Sequence, residues 1–233
     1  MTPRPQSYTA LIFDLDGTLI DSAPDMAAAV NTYLQAQGWP VQDTRFVETF
    51  IGHGPRRLLL DMFTALQLPT DAPSLEAAHV AFMAQYWQAP TRLTQFYPDV
   101  RDDLHGLHAA GFALGLCTNK PQALTLRILE QLGIASLFSA VVGADAVPAC
   151  KPDPGHLLAV AAKMGLEPGT WAYVGDSGID QTTARAAGVP FFVVSWGGGA
   201  KVKVAQSYRL NRLRDLTRTA PRPNGGIIHD MCS

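Results

Sequence analysis

Apolar positions along this chain fall into two textures. Between residues 98 and 195, short apolar runs alternate with stretches whose apolar residues recur at helical spacing. The runs cover residues 112–117, 139–142, 171–174 and 191–195, and an earlier one covers 10–13. Each is too short for a helix and is bounded by turn residues, so each reads as a buried strand. The intervening helices carry Val100, Leu104, Leu107 and Ala110; Leu124, Ile128, Leu129 and Leu132; and Leu157, Leu158, Val160 and Ala161. A further helix follows Ser177. Such alternation predicts an α/β fold, a parallel sheet with helices on both faces.

From Pro24 to Ala89 the texture is helical only. Pro24 suits a first turn, with Asp21 or Ser22 as the cap, and Met26, Val30, Tyr33 and Leu34 run to Gly38. Phe46, Val47, Phe50 and Ile51 mark a second helix, and Leu58, Leu59, Met62, Phe63 and Leu66 a third. The fourth face is Ala77, Ala78, Ala81, Phe82, Tyr86 and Trp87. The stretch reads as a separate helical lobe. Towards the C-terminus, Tyr208, Leu210 and Leu213 suggest an edge strand or a turn, and residues 220–226, rich in Pro and Gly, suggest a loose segment.

The strand ends carry the candidate chemistry. The first run breaks into Asp14-Leu15-Asp16-Gly17-Thr18. Side chains at i and i+2 of an extended strand share a side, so both acids face one small volume. Two carboxylates that close disfavour each other's ionisation and call for a cation, a shared proton or water. The second run breaks into Thr118-Asn119-Lys120-Pro121, the third leads to Lys151, and the fourth ends at Asp176, with Asp180 one helical turn on. Open parallel sheets bind ligands beyond the carboxyl ends of their strands. Four carboxylates, an ammonium and a hydroxyl gathered there suit a hard, oxygen-seeking cation such as Mg2+ beside a phosphoryl group. The absence of a His or Cys partner speaks against zinc. Singly, Thr118 could bond its own turn, Lys151 could be a solvated lysine, and Asp180 could favour a helix N-terminus. Their arrival in order, each at a strand end, points to a site.

Composition adds bounds. The chain has 233 residues, 47% hydrophobic and 16% charged, with a formal net charge of -2 and no long run of Lys or Arg. That offers no electrostatic case for nucleic acid or an anionic membrane. Three cysteines without ligand-like spacing (Cys117, Cys150, Cys232) fit a reducing, cytoplasmic setting. No apolar segment is long enough for a secretion signal or a membrane span.

The motifs Asp14-Leu15-Asp16-Gly17-Thr18, Thr118-Asn119, Lys151-Pro152 and Gly175-Asp176-Ser177-Gly178-Ile179-Asp180 resemble, in order, the four motifs of the haloacid dehalogenase superfamily. The helical insertion resembles its C1 cap, which implies a Rossmann-like core of residues 1–22 and 90–233 and a cap of residues 23–89. Asp21-Ser22-Ala23-Pro24, Ile51-Gly52-His53-Gly54, Thr118-Asn119-Lys120-Pro121 and Lys151-Pro152-Asp153-Pro154 resemble the phosphoglycolate phosphatase family more closely. That resemblance implies a Mg2+-dependent hydrolysis of 2-phosphoglycolate to glycolate and phosphate by a monomer or homodimer. By resemblance Asp14 is the nucleophile, forming an aspartyl-phosphate, and Asp16 the general acid and base. Asp14, Asp176 and the Asp16 backbone carbonyl hold the metal, with Asp180 supporting the metal's waters or Lys151. Thr118, Asn119 and Lys151 bind phosphate.

In the cap, His53, Arg56 and Arg57 are either substrate contacts or a solvated helix start. Asp99, where relatives often have Gly, could cap a helix. The run Gly197-Gly198-Gly199 lacks the strand and helix context of a dinucleotide site. A phosphatase for a sugar phosphate or pyrophosphate, or a phosphomutase, would share all four motifs. A non-catalytic phospho-acceptor switch would need Asp14 but has less use for Asp16. A dehalogenase suits neither Asp16 nor the carboxylate cluster.

Overall fold

The computed structural model describes residues 8–219. The predicted loose segment at 220–226, residues 1–7 and Cys232 lie outside the described residues. In chain order the elements are β1 (Ala10–Phe13), β2 (Ile20–Asp21), α1 (Ala23–Ala36), α2 (Thr44–Glu48), α3 (Pro55–Ala65), α4 (Ala72–Gln88), β3 (Gln95–Phe96), α5 (Val100–Ala109), β4 (Ala113–Cys117) and α6 (Gln122–Gln131). Then follow β5 (Phe138–Val142), α7 (Pro154–Lys163), β6 (Trp171–Gly175), α8 (Gly178–Ala187), β7 (Phe191–Val194) and β8 (Arg209–Leu210).

Six strands form one sheet in the order β5-β4-β1-β6-β7-β8, every neighbouring pair parallel. Alternate residues of each central strand serve opposite faces. Leu11, Phe13, Leu114, Leu116, Ala172 and Val174 pack into one cluster with α5 and α6. Ala10, Ile12, Cys117, Trp171 and Tyr173 pack into the other, with α7 and α8. A strand covered on both sides reads as an unbroken apolar run, which is why these strands are legible in the sequence. The predicted edge strand at Leu210 is present as β8.

Strand order reverses at β1: β4 and β5 lie on one side, β6 and β7 on the other. A crevice opens at such a reversal, beyond the strands' carboxyl ends. Phe13 is in register with Leu116 of β4 and with Val174 of β6. The residues that follow these three strands therefore leave the sheet side by side.

The insertion between β2 and β3 is all-helical. Its apolar faces, including Val30, Leu34, Val47, Met62, Phe63 and Phe82, join the sheet's α5/α6 cluster through Leu15, Leu19 and Ile20. Fully burying a Leu or Phe contributes about 1.5–3 kcal/mol, so one continuous core holds the cap region onto the sheet. Where the chain leaves and re-enters the core, β2 pairs antiparallel with β3, Ile20 opposite Phe96. Buried Asp25 fixes the same crossing, accepting from the backbone N–H of Leu93 and of Thr94 and from the Thr94 hydroxyl.

Some local expectations need correction. Ser22 stands at the N-cap of α1 but makes no capping bond; Asp21 Oδ1 accepts from Ala23 N instead, at 3.2 Å. Ala77 and Trp87 of α4 are exposed, and Ala78, Phe82 and Tyr86 form its buried stripe. Asp99 does not cap α5 with its side chain. It takes a left-handed conformation (φ 65°), which explains a preference for Gly there, and pairs with Arg212 at 2.8 Å.

Candidate active site

The turn after β1 is built to hold two acids apart. Leu15 O accepts from the N–H groups of Thr18, Leu19 and Ile20, folding the chain back on itself. Gly17, at φ 85°, makes this possible, and a Cβ there would lie 2.3 Å from Asp176 Oδ2. Any side chain at 17 would therefore both strain the backbone and push Asp176 away. Asp14 N donates to Val174 O, locking the first acid to the strand that ends beside Asp176.

Lys151 stands between two buried carboxylates. Its Nζ is 2.8 Å from Asp14 Oδ1 and 2.8 Å from Asp180 Oδ1, and it donates to the Tyr173 hydroxyl at 2.9 Å. Tyr173 in turn donates to Asp180 Oδ1 at 2.7 Å. Asp180 Oδ2 accepts from the backbone N–H and hydroxyl of Ser177, in a capping box that starts α8. His156 fixes the lysine loop: its Nδ1 accepts from Lys151 N, and its Nε2 donates to Val142 O. Burial lowers the His156 pKa to about 4, so the ring is neutral and suited to this pair of bonds.

Burial alone would lower the Lys151 pKa, but Asp14 and Asp180 raise it, so the ammonium is permanent. Asp180 would rise through burial, yet the charge and hydrogen bond of Lys151, with those of Ser177 and Tyr173, hold it below the usual carboxylate range. Asp14 is raised well above that range, chiefly by burial, with Lys151 opposing and Asp180 and Asp176 adding to the rise. Asp176 is raised to about 7 by burial and then by Asp180, although Gly198 N and the Thr18 hydroxyl each donate to it, at 2.7 and 3.1 Å.

Asp14, Asp176 and Asp180 each bring one oxygen to within 4.8 Å of the others. Three carboxylates facing one ammonium leave a deficit of positive charge, which adds to burial in raising Asp14 and Asp176. A divalent cation would supply it, and an all-oxygen donor set fits Mg2+. The four donors on Asp180 leave it a supporting part. Asp14, with one oxygen on Lys151, and Asp176, with one donor on each oxygen, are less engaged and could ligate such a cation. The Asp16 carbonyl, which accepts none of the turn's backbone bonds, is the third candidate.

The Asp16 side chain is engaged elsewhere. Its Oδ1 accepts from the Ser22 hydroxyl at 2.5 Å, and its Oδ2 lies 3.2 Å from Lys120 Nζ. Ser22 is thus no helix cap because Asp16 takes its hydroxyl. Thr118 is buried at the end of β4, its Oγ1 accepting from Lys120 N. Asn119 Nδ2 donates to both Gly52 O and Lys151 O, at 2.9 Å each, so this side chain joins cap loop to lysine loop.

Two hollows meet at Asp14, Asp16, Ile51 and Gly52. One, of about 400 Å3, is polar and includes Asp176, Ser177, Gly198 and Arg45. The other lies under the cap, where Met26, Leu58, Phe82 and Met83 surround Thr118, Asn119 and Lys120. The cap loop contributes Gly52, Gly54 and Pro55 to this lining, not His53 or Arg56. Those two side chains are exposed, and Arg56 pairs with Glu76 while Arg57 pairs with Asp61. The reason is periodicity: Leu58, Leu59, Met62 and Phe63 turn inward from α3, so positions 56, 57 and 61 face outward. Of the two readings the sequence offers for this loop, the structure has these side chains in the second, a solvated helix start.

Sequence reasoning also missed Thr18, Lys120, Tyr173, His156 and Gly198. Thr18 and Lys120 stand inside the motifs quoted above. Tyr173 sits mid-strand and His156 in the first turn of α7, where nothing marks a polar role. The glycine run is a packing device: a Cβ on Gly197 would lie 2.2 Å from Gly17 O.

The family model of haloacid dehalogenase-like hydrolases matches residues 11–194. A phosphoglycolate phosphatase of Cereibacter sphaeroides (strain ATCC 17025 / ATH 2.4.3) is 41% identical over 187 residues, 80% of this chain and 85% of the relative. One from Salmonella paratyphi A is 38% identical over 209 residues, 82% and 83% of the two chains. The crystal structure of a predicted phosphoglycolate phosphatase from Haemophilus somnus 129pt superposes with a TM-score of 0.81 at 28% identity, covering 91% of this chain and 97% of that one. The chain belongs to the haloacid dehalogenase superfamily of hydrolases, in its phosphoglycolate phosphatase-like family. Within that class it is a small-molecule phosphatase, with a candidate active site at Asp14, Asp176 and Asp180.

Proposed function

We propose that the protein hydrolyses a small phosphorylated acid, 2-phosphoglycolate above all, through an aspartyl-phosphate on Asp14. The observation that carries this reading is Asp14 itself: a buried carboxylate at the switch point of the sheet, 2.8 Å from Lys151 and open to both hollows. The relatives' shared name supports the substrate. So does the under-cap lining, whose apolar walls suit a two-carbon acid better than a polyhydroxylated sugar.

Hydrolysis of phosphate monoesters is among the slowest uncatalysed reactions, accelerated by enzymes up to ~10^21-fold. Asp14 Oδ attacks phosphorus; the P–O bond to Asp14 forms as the bond to the leaving alkoxide breaks. Asp16 gives that alkoxide its proton, then takes one from the water whose oxygen displaces Asp14 from phosphorus. Lys151 holds Asp14 in line and offsets charge on the transferring group, and Thr118 donates its hydroxyl to a phosphate oxygen. Bound Mg2+, held by Asp14, Asp176 and the Asp16 carbonyl, supplies the positive charge that lets a carboxylate approach a phosphate dianion. Asp16 must first turn away from Ser22 and Lys120.

A phosphate-release screen of about a hundred phosphorylated metabolites with Mg2+ tests the reading. Selective turnover of 2-phosphoglycolate, with stoichiometric free phosphate and no need of a sugar bisphosphate primer, is expected. Turnover of a hexose phosphate that needs such a primer would replace it with a mutase.

A further inference from the structure

Lys120 is a buried cation that the steps above do not use. It is 4% exposed. Its ammonium lies 3.2 Å from Asp16 Oδ2, donates to the hydroxyl of Tyr86 at 2.8 Å, and sits 4.5 Å from the centre of the Tyr86 ring. Tyr86 belongs to α4 of the cap and is itself buried. Among the described residues lining the apolar hollow, Lys120 is the only cationic one.

Its partner cannot stay. For Asp16 to reach a leaving oxygen above Asp14, its carboxyl has to give up Lys120. The ammonium would then be stranded in an apolar wall with one phenol as company, and an unpaired buried charge is strongly unfavourable. A ligand that brings its own anion removes that obstacle. Arg56, a candidate substrate contact in the sequence, faces outward and is paired with Glu76.

We propose that Lys120, positioned by Tyr86, takes the carboxylate of the substrate and thereby frees Asp16 for proton transfer. The inference rests on the small phospho-acid reading above and adds the residue that recognises the acid. It also makes recognition part of turnover. A substrate with no anion at that end leaves Lys120 on Asp16 and loses in kcat as well as in KM.

The test compares 2-phosphoglycolate with 2-hydroxyethyl phosphate, which carries CH2OH in place of the carboxylate. Both are assayed with Mg2+ on the full chain, in the wild type and in Lys120→Met. The wild type should prefer the acid by roughly tenfold or more in kcat/KM, with part of the difference in kcat. In Lys120→Met the preference should fall to within about threefold and the two kcat values should converge. General damage to Asp16 cancels, because it affects both substrates. Lys120→Arg, which keeps the charge, should restore part of the preference.

If Lys120→Met does not fold, Tyr86→Phe carries the test, with the preference falling by about threefold as the ammonium loses its phenol. A wild type indifferent to the carboxylate would overturn the substrate reading and this assignment together. A wild-type preference that persists in Lys120→Met, or in Tyr86→Phe where that variant is the one measured, would overturn this assignment alone.

Discussion

The rim of the sheet and the cap above it place their polar side chains by different rules. At the rim, three adjacent strands end level, and the residues that follow them have their direction set by the backbone. Asp14, Asp176, Asp180 and Lys151 are all buried and bound to one another or to Tyr173, Thr18, Ser177 and Gly198. In the cap, the helices turn their apolar faces inward, and charged residues of α3 and α4 are left outside, Arg56 and Glu76 being 64% and 52% exposed. To the under-cap hollow the cap gives apolar wall, the backbone of Gly52 and Gly54, and Tyr86, and only to the open polar hollow does it bring charged side chains, Arg45 and Glu48. Chemistry is therefore carried by the rim, and enclosure by the cap.

The contrast is broken most severely at the rim. Asp14→Asn should lower kcat by about 10^4-fold or more, the scale seen when a nucleophile is removed. Its thermal melting should be largely retained, because Asn keeps the side chain's shape and its carbonyl oxygen can still accept from Lys151 Nζ. Wild-type-like turnover would remove the rim from the chemistry. Lys151→Met should cost about 10^2–10^3-fold in kcat. It should also destabilise the fold by about 3–5 kcal/mol, since Asp180 is left buried without its cation. Chemical denaturation beside steady-state kinetics reads both.

Metal binding is a milder probe of the same rim. Asp176 must release a proton to ligate, and its pKa stands near 7. Apparent Mg2+ affinity should therefore rise by about tenfold or more per pH unit below 7, Asp14 adding to the dependence. Calorimetric titration from pH 5.5 to 8.5 measures this, and a flat profile would contradict it. The sign for stability is opposite. A carboxyl raised on folding stabilises the metal-free fold below its unfolded pKa, and that contribution is lost as pH rises through about 7. Added Mg2+ should therefore raise the melting temperature more at pH 8 than at pH 5.5. The smallest effects belong to the cap's outer face. His53→Ala and Arg56→Ala should change kcat/KM by less than about twofold and stability by about 0.5 kcal/mol or less, as expected of exposed groups. A tenfold loss in kcat/KM would show that the loop turns inward during turnover.

The same division governs what could be read from the sequence. Strands buried on both faces are continuous apolar runs, so the alternation of strand and helix, and the polar residues at each strand end, stand out. Asp14, Thr118, Lys151 and Asp176 could be named because a local signal, the break in a run, coincides with the place where ligands bind. Strands β2 and β3 have two residues each and leave no periodicity to detect. Ser22 looked like a helix cap because its competing partner, Asp16, lies six residues back on a turn whose shape is not written locally. Lys120 stands in a motif but has no role assigned from sequence, because half of its environment, Tyr86, comes from a cap helix 34 residues away. The inward and outward faces of α3 are legible in the sequence, as Leu58, Leu59, Met62 and Phe63, and favour the solvated helix start for Arg56.

The central claim is that one carboxylate at the end of β1 is the group that becomes phosphorylated. Asp16→Asn enzyme, mixed with radiolabelled 2-phosphoglycolate and Mg2+ and quenched in acid, tests it most directly. Label should remain on the protein, in the peptide containing Asp14, and should be absent when Asp14→Asn is added to the same chain. Label of equal amount in the chain that lacks Asp14 would contradict it.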